Sequence, residues 1–384
     1  MDNLIISLYG SHNAAVSMYY KGEYYVVEVE RWLNIKNSGL TGYLPARNPQ
    51  LVFDDIVNWL LNKTNGEEVD TFLVGYGDGI VPKFKYKNLI RYDHHTAHAA
   101  AAFYQSSYEE MLVFTFDGGG DGAFFNVYNA SRTRGIELLK SSKKDLGFAY
   151  MVLGEVLGDI KREDLSIGNL VYAGKLMGLC AYGNVRNEWL KHFEDFYDKF
   201  EYDGVSYIGG KQVMEEAMKT LMRNIGAKSY VFGKTRYTDQ FAWDIAATSQ
   251  RAFESTFYKI AKPFLKKYPT LPVGMSGGCA LNVLLNTKLI IERNGAVFVP
   301  PNTNDCGISV GGLLWYIKPS DAVDLTYSGL PIMDEHMLAN YINKYELSVV
   351  DGVSVRELAG YISEGYIVGV IRYRDWETDR KSVV

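Results

Sequence analysis

The chain spells one strand grammar twice, and that repeat restricts its fold more than any other feature. LIISLY, residues 4–9, is an apolar run ending in the polar turn Gly10-Ser11-His12-Asn13. AAVSMYY follows, then a Lys21-Gly22 turn, then EYYVVEVE. β-Branched and aromatic residues around a glycine turn predict strand, loop and hairpin. Farther along, MLVFTFD runs into Gly118-Gly119-Gly120-Asp121-Gly122, then AFFNVYNA, a turn through Ser131 to Gly135, and IELLKSS. A unit that recurs with its order intact points to an internal duplication.

The rest of the pattern is α/β. Asn48 to Leu61 has helical spacing, TFLVGYG reads as a strand, and the Ala-rich stretch from His95 to Tyr104 favours helix. Past the second repeat, Asn187 to Phe200 is helical with alternating charge, inside a stretch, 184–235, that reads as an insertion. Asp239 to Lys267 predicts a long amphipathic helix. PVGMSGG, VLLNTKLIIE, AVFVP and ISVGGLLWYI then alternate strand and helix, as a parallel sheet requires. The expected fold is α/β, duplicated and two-lobed, with mixed sheets and flanking helices: the actin/Hsp70-like (ribonuclease H-like) architecture. There the two first-hairpin loops face each other across a cleft and grip phosphates through backbone N–H groups, a role expected here of Gly118 and Gly119. The lobes are expected over 1–108 and 109–318. Residues 319–373, with the strand-like YIVGVI, read as a connecting segment. The last residues, 374–384, are polar and aperiodic and are expected to be a non-native tail on a truncated sequence; a disordered native terminus is the alternative.

Composition narrows the function classes. With 384 residues, 47% hydrophobic and 22% charged, the chain can bury a large core without staples. A net charge of −5 without a basic block gives no reason to expect a nucleic-acid partner. No apolar run approaches the roughly 18 residues of a membrane span. Three scattered cysteines, Cys180, Cys279 and Cys306, fit a reducing cytoplasm.

The sharpest chemical cluster is Asp93-His94-His95-Thr96-Ala97-His98. His94 and His98, at i and i+4, share a helix face, the spacing that presents two imidazoles to one metal. His95 points elsewhere and is a candidate for ligand contact. Asp117, at the end of MLVFTFD, and Asp305, after AVFVP, are candidate acidic ligands; a turn-former and a helix N-cap are their structural alternatives. A mixed set of two His and two Asp suits Fe(II), Mn(II) or Zn(II).

Two glycine motifs add phosphate-type contacts. Ser276-Gly277-Gly278-Cys279-Ala280-Leu281-Asn282 sits at a strand-to-helix turn, where free N–H groups favour a phosphate or nucleotide. Tight helix packing explains the same glycines. Lys175, in Gly174-Lys175-Leu176-Met177-Gly178, is either a phosphate-neutralising group or a solvated lysine. His12, Arg31 and Lys36 lie near strand ends on the expected cleft side.

GSHNAA, ER…IK, HHTAHAAAAFY, FDGGGDG, GKLMGLCAYG, DIAATSQ, MSGGCALN and VPPNTNDCG, taken in order over about residues 4–318, resemble the O-carbamoyltransferases of nodulation-factor and antibiotic biosynthesis. The resemblance implies a two-step reaction. A carboxy-terminal domain makes carbamoyl-adenylate from carbamoyl phosphate and ATP, and the actin-like domain passes the carbamoyl group to a hydroxyl of a small-molecule or sugar acceptor. It implies His94, His98, Asp117 and Asp305 as ligands of a divalent metal, Fe(II) before Mn or Zn. It also implies His12 and Lys36 as catalytic residues, and Ser276, Gly277, Gly278, Asn282 and Asn304 as nucleotide contacts. Asp121 fills the acidic place after the family's glycine loop, whereas Cys180-Ala181 departs from its pattern. The family continues beyond YIVGVI into a Gly-Pro-Arg motif absent here, so this chain is expected to lack the first half-reaction. An actin-like kinase or ATPase, or a non-enzymatic nucleotide-binding module, would use the duplicated loops but not the histidine cluster.

Overall fold

In a computed structural model, the described residues are all except 1–2, 43–44, 78, 162–169, 202–208, 327, 331–334, 351, 370, 374–380 and 384. They form two units, Met1–Val323 and Asp324–Val384.

The first unit opens with β1 (Ile5–Tyr9), β2 (Ala15–Tyr20), β3 (Glu23–Glu28), α1 (Val29–Leu33), α2 (Pro49–Leu61), β4 (Val69–Tyr76), β5 (Tyr86–Arg91) and α3 (His94–Gln105). The grammar then repeats as β6 (Glu110–Gly120), β7 (Ala123–Ser131) and β8 (Gly135–Ser142). After these come α4 (Leu146–Val152), α5 (Val171–Leu179), α6 (Asn187–Asp198), α7 (Gly209–Asn224), α8 (Asp239–Lys267), β9 (Val273–Ser276), α9 (Val283–Glu292), β10 (Val297–Phe298) and α10 (Ile308–Ile317). The first sheet has the order β3-β2-β1-β4-β5, the second β8-β7-β6-β9-β10. In each, a three-stranded antiparallel meander is extended by two parallel strands. Strand order and pairing sense are therefore duplicated as well as sequence grammar.

Packing explains why the strands are so apolar. Every residue of β1 and β2 is buried, because helices cover both faces of the first sheet. Successive β4 side chains point to opposite faces. Phe72 meets Phe53 of α2, while Thr71 reaches Tyr316 of α10. So α10, late in sequence, packs on the early sheet, and a cut at residue 108 does not separate the two halves in space. Small residues make this possible: a Cβ on Gly311 would lie 2.2 Å from the Ala97 carbonyl oxygen, so α10 and the alanine face of α3 touch backbone to backbone. The second sheet buries Phe114, Phe116 and Phe125 against Phe253 and Phe257 of α8.

Within the stretch read as an insertion, 184–235, the described helices α6 and α7 pack into this core. Trp189, Phe193, Phe196 and Tyr197 of α6 and Met218 and Leu221 of α7 are buried within it. Alternating charge on α6 marks its outer face only.

Arg132 ties the β7–β8 turn to the end of the unit. Its guanidinium donates to the carbonyls of Ser106, Pro319 and Asp321 at 2.6, 2.9 and 3.1 Å and lies over the Phe103 ring. Arg132→Ala leaves these carbonyls without a donor and is expected to cost about 2–3 kcal/mol in chemical denaturation. Arg132→Lys recovers only part of it, since an ammonium cannot reproduce the planar fork.

The second unit holds α11 (Glu335–Lys344), α12 (Val355–Ser363), β11 (Ile371–Tyr373) and β12 (Lys381–Val383). A Ser354–Glu357 capping box starts α12. Of the strand-like YIVGVI, 366–369 form no strand, and Ile371 opens the short β11 paired antiparallel with β12. The expected tail, 374–384, lies outside the described residues except for β12.

Candidate metal centre

Three strand ends meet beyond the carboxyl ends of the parallel strands, where open α/β sheets place their sites. Tyr9 closes β1, Asp117 lies near the end of β6, and Ser276 closes β9. Facing them is the first turn of α3, whose start is fixed by Asp93: its carboxylate accepts from Thr96 N at 2.7 Å. Asp121, after the glycine loop, accepts from His94 N at 2.7 Å and joins that loop to the helix. His94 and His98 then point the same way, as their spacing predicts.

The structure brings His94, His98, Asp117 and Asp305 together. All four are buried, and one ligand atom from each lies within 4.8 Å of the others. His98 Nε2 is 3.2 Å from Asp117 Oδ2 and 3.4 Å from Asp305 Oδ1. His94 Nε2 is 4.0 and 3.8 Å from the same two oxygens and, though buried, has no hydrogen-bond partner. Buried nitrogens are rarely left so. Atoms bound at about 2.1 Å to one ion lie about 3–4 Å apart, so these spacings and the orphaned nitrogen fit a shared divalent ion.

Electrostatics favour a cation there. Burial alone would push the Asp117 carboxyl up, but the facing His98 and His94 imidazoles hold it well below the usual carboxylate range. Burial pulls His98 down, and Asp117 and Asp305 more than reverse this, raising it to about 9. Without a metal, a proton on His98 neutralises part of the carboxylate charge.

Both structural alternatives for the aspartates can be judged by their contacts. Asp305 opens a 3-10 turn, Asp305–Gly307, with Asn304 at its N-cap position and no side-chain cap. The Asp305 carboxylate faces the histidines, Tyr9 and His12 rather than a helix end. Asp117 does both jobs: it accepts from Gly118 N at 2.5 Å and Gly278 N at 2.9 Å while facing His98.

Several expected ligand contacts take other roles. His95 is fully buried, with Nδ1 2.8 Å from Thr115 Oγ1 and Nε2 3.0 Å from the Ala123 carbonyl. Burial, reinforced by His94 and His98, holds its pKa at about 3, so it is a neutral core histidine. The Gly118 and Gly278 N–H groups serve Asp117. Gly277 has φ +96°, and a Cβ there would lie 2.3 Å from Phe116 O, so close strand packing requires this glycine. Asn282 caps α9, accepting from Leu285 N, and its amide is locked to Gln250. Ser276 is fully buried behind His98, its Oγ 3.4 Å from Nδ1. Lys175 is exposed on α5, not in a loop. Lys36 is exposed on a loop that hydrogen-bonds, through Asn37 and Ser38, to residues 13 and 14 beside His12. Gly119, with φ +113°, lies in the irregular end of β6 where pairing with β7 shifts register, and Arg31 is engaged with Glu28 and Glu30.

His12 stands at the cluster's edge, part-buried, with Nε2 3.6 Å from Asp305 Oδ2 and Nδ1 3.1 Å from Asn13 Oδ1. Sequence reasoning missed Tyr9, whose hydroxyl donates to Asp305 Oδ2 at 2.6 Å. Nothing local links residues 9 and 305, 296 positions apart; only the tertiary fold brings them together.

Comparison with known proteins adds an independent line. A family model described as carbamoyltransferase N-terminus matches residues 26–314. An uncharacterised protein of Methanocaldococcus jannaschii is 27% identical over 93% of this chain and 67% of its own length. The nodulation protein NolNO of Sinorhizobium fredii is 26% identical over 73% of this chain and 40% of its own. The chain thus spans between two fifths and two thirds of these relatives. A solved structure of full-length HypF in its phosphate- and nucleotide-bound form aligns at 13% identity with TM-score 0.48, over 82% of this chain and 46% of that one.

Proposed function

This chain belongs to the carbamoyltransferase family, and from that premise we propose that it transfers a carbamoyl group from carbamoyl-adenylate to a hydroxyl of a small-molecule or sugar acceptor. The observation that carries the reading is the buried quartet of two imidazoles and two carboxylates with an orphaned nitrogen at its centre. His94, His98, Asp117 and Asp305 would hold a divalent ion, with Fe(II) favoured and Mn(II) or Zn(II) alternatives, which would supply a Lewis acid for the carbamoyl carbonyl.

The chain's own residues do the rest. His98 would serve as a ligand through an unprotonated Nε2. His12, at the accessible edge, takes the proton of the acceptor hydroxyl as the new O–C bond forms. The bond from the carbamoyl carbon to the adenylate phosphate oxygen breaks, and AMP leaves with that electron pair. Lys36, on the loop joined to the His12 turn, is assigned to hold the anionic donor. The three cysteines are unpaired, in keeping with a cytoplasmic setting, and among the described residues no helix is long and apolar enough to cross a membrane.

Formation of the adenylate is assigned to sequence that the longer relatives carry. The 384-residue chain, given carbamoyl phosphate and ATP, is expected to release no pyrophosphate above background. Supplied with carbamoyl-adenylate and a panel of polyhydroxylated acceptors, it is expected to yield a carbamate detectable by mass spectrometry. Pyrophosphate release by the chain alone overturns this division of labour. Absence of any carbamate across the panel, with metal bound, speaks against the transfer.

A further inference from the structure

Asp305 and His98, two members of the quartet, each have a second atom held by the protein. Asp305 is split between two environments: Oδ1 faces His98 and His94, at 3.4 and 3.8 Å, while Oδ2 accepts from Tyr9 at 2.6 Å. His98 is divided in the same way. Nε2 faces the carboxylates, and Nδ1 lies 3.4 Å from Ser276 Oγ. Ser276 Oγ also lies 3.3 Å from the Thr303 carbonyl, which can only accept, so a hydroxyl hydrogen given to Thr303 leaves Oγ to accept an Nδ1–H. That hydrogen bond places the remaining ring lone pair on Nε2. Both residues are buried, Tyr9 at 5% exposure and Ser276 at 0%, so water does not compete for these contacts.

We propose that Tyr9 and Ser276 are positioning residues for the metal centre: Tyr9 fixes which Asp305 oxygen turns inward, and Ser276 fixes the His98 tautomer that presents Nε2. The inference rests on the metal reading above and extends it to residues that never touch the ion. Ligand-orienting partners of this kind typically govern about 10- to 100-fold in metal affinity. Neither role was legible in the sequence. Tyr9 read as the end of an apolar strand, and Ser276 as a nucleotide contact.

The test uses the full 384-residue chain, Co(II) as probe, and two near-isosteric variants, Tyr9→Phe and Ser276→Ala. Tyr9→Phe keeps the ring that packs edge-on against His94, so the variant retains its core even if Ser276→Ala proves unstable. Calorimetry gives the Co(II) dissociation constant, and the visible spectrum of the bound ion reports ligand geometry. Each variant is expected to bind about 10- to 100-fold more weakly and to shift the Co(II) bands. A merely structural role lowers thermal stability but leaves the spectrum of the bound ion unchanged. If wild type binds Co(II) and Tyr9→Phe binds it with the same constant and spectrum, the positioning role is overturned while the metal reading stands. If wild type binds no Co(II), the metal reading falls and this inference with it.

Discussion

His94→Ala and His98→Ala are expected to weaken divalent-metal binding equally and to separate sharply in metal-free stability. Each removes one of two imidazole ligands, a loss of at least about 100-fold in affinity, since even outer partners govern up to that much. Their metal-free environments differ. His94 Nε2 makes no hydrogen bond and stands farther from the carboxylates, at 4.0 and 3.8 Å, so His94→Ala forfeits a weaker electrostatic contact and packing against Tyr9 and His98, about 1–2 kcal/mol. His98 stands between two buried carboxylates and carries the proton that offsets them. His98→Ala leaves Asp117 and Asp305 without that partner and is expected to cost about 3–5 kcal/mol. Metal titration together with urea denaturation of the apo proteins checks both halves. Equal stability losses would mean that the His98 contacts are not ionic in the apo chain.

His12→Ala is expected to lower carbamoyl transfer by about 100- to 10,000-fold, the usual range for a lost general base, while leaving metal affinity within a few-fold of wild type. The distances separate the two effects. His12 approaches the outer Oδ2 of Asp305 at 3.6 Å, not the Oδ1 that faces the histidines. It stands on a turn, partly exposed, where the acceptor can reach it. Transfer assayed with supplied carbamoyl-adenylate, with metal content measured on the same samples, checks this. A variant that loses metal and activity in parallel would show His12 to be part of the cluster instead.

Local grammar carried much of the architecture. The hairpins, the α3 alanine run and the 29-residue α8 follow directly from periodicity and turn residues. The pairing of His94 with His98 was legible too, because one helical turn sets it. What lay hidden depends on distance in sequence. Periodicity cannot show that α10 packs on the first sheet, or that Tyr9 reaches Asp305. Glycines misled for a related reason. The N–H groups of Gly118 and Gly278 look free in a loop, yet both are committed to Asp117, and Gly277 answers to the backbone of Phe116. His95 shows the limit of counting residues: within a run of chemically able neighbours, only its two satisfied nitrogens reveal a core histidine.

The most direct test of the central claim is anomalous diffraction at the manganese edge from crystals of the Mn(II)-loaded chain. The expected result is one strong peak per chain, within bonding distance of Nε2 of His94 and His98, Oδ2 of Asp117 and Oδ1 of Asp305. No peak there, or a peak held by other residues, would contradict the metal centre and the transfer mechanism built on it.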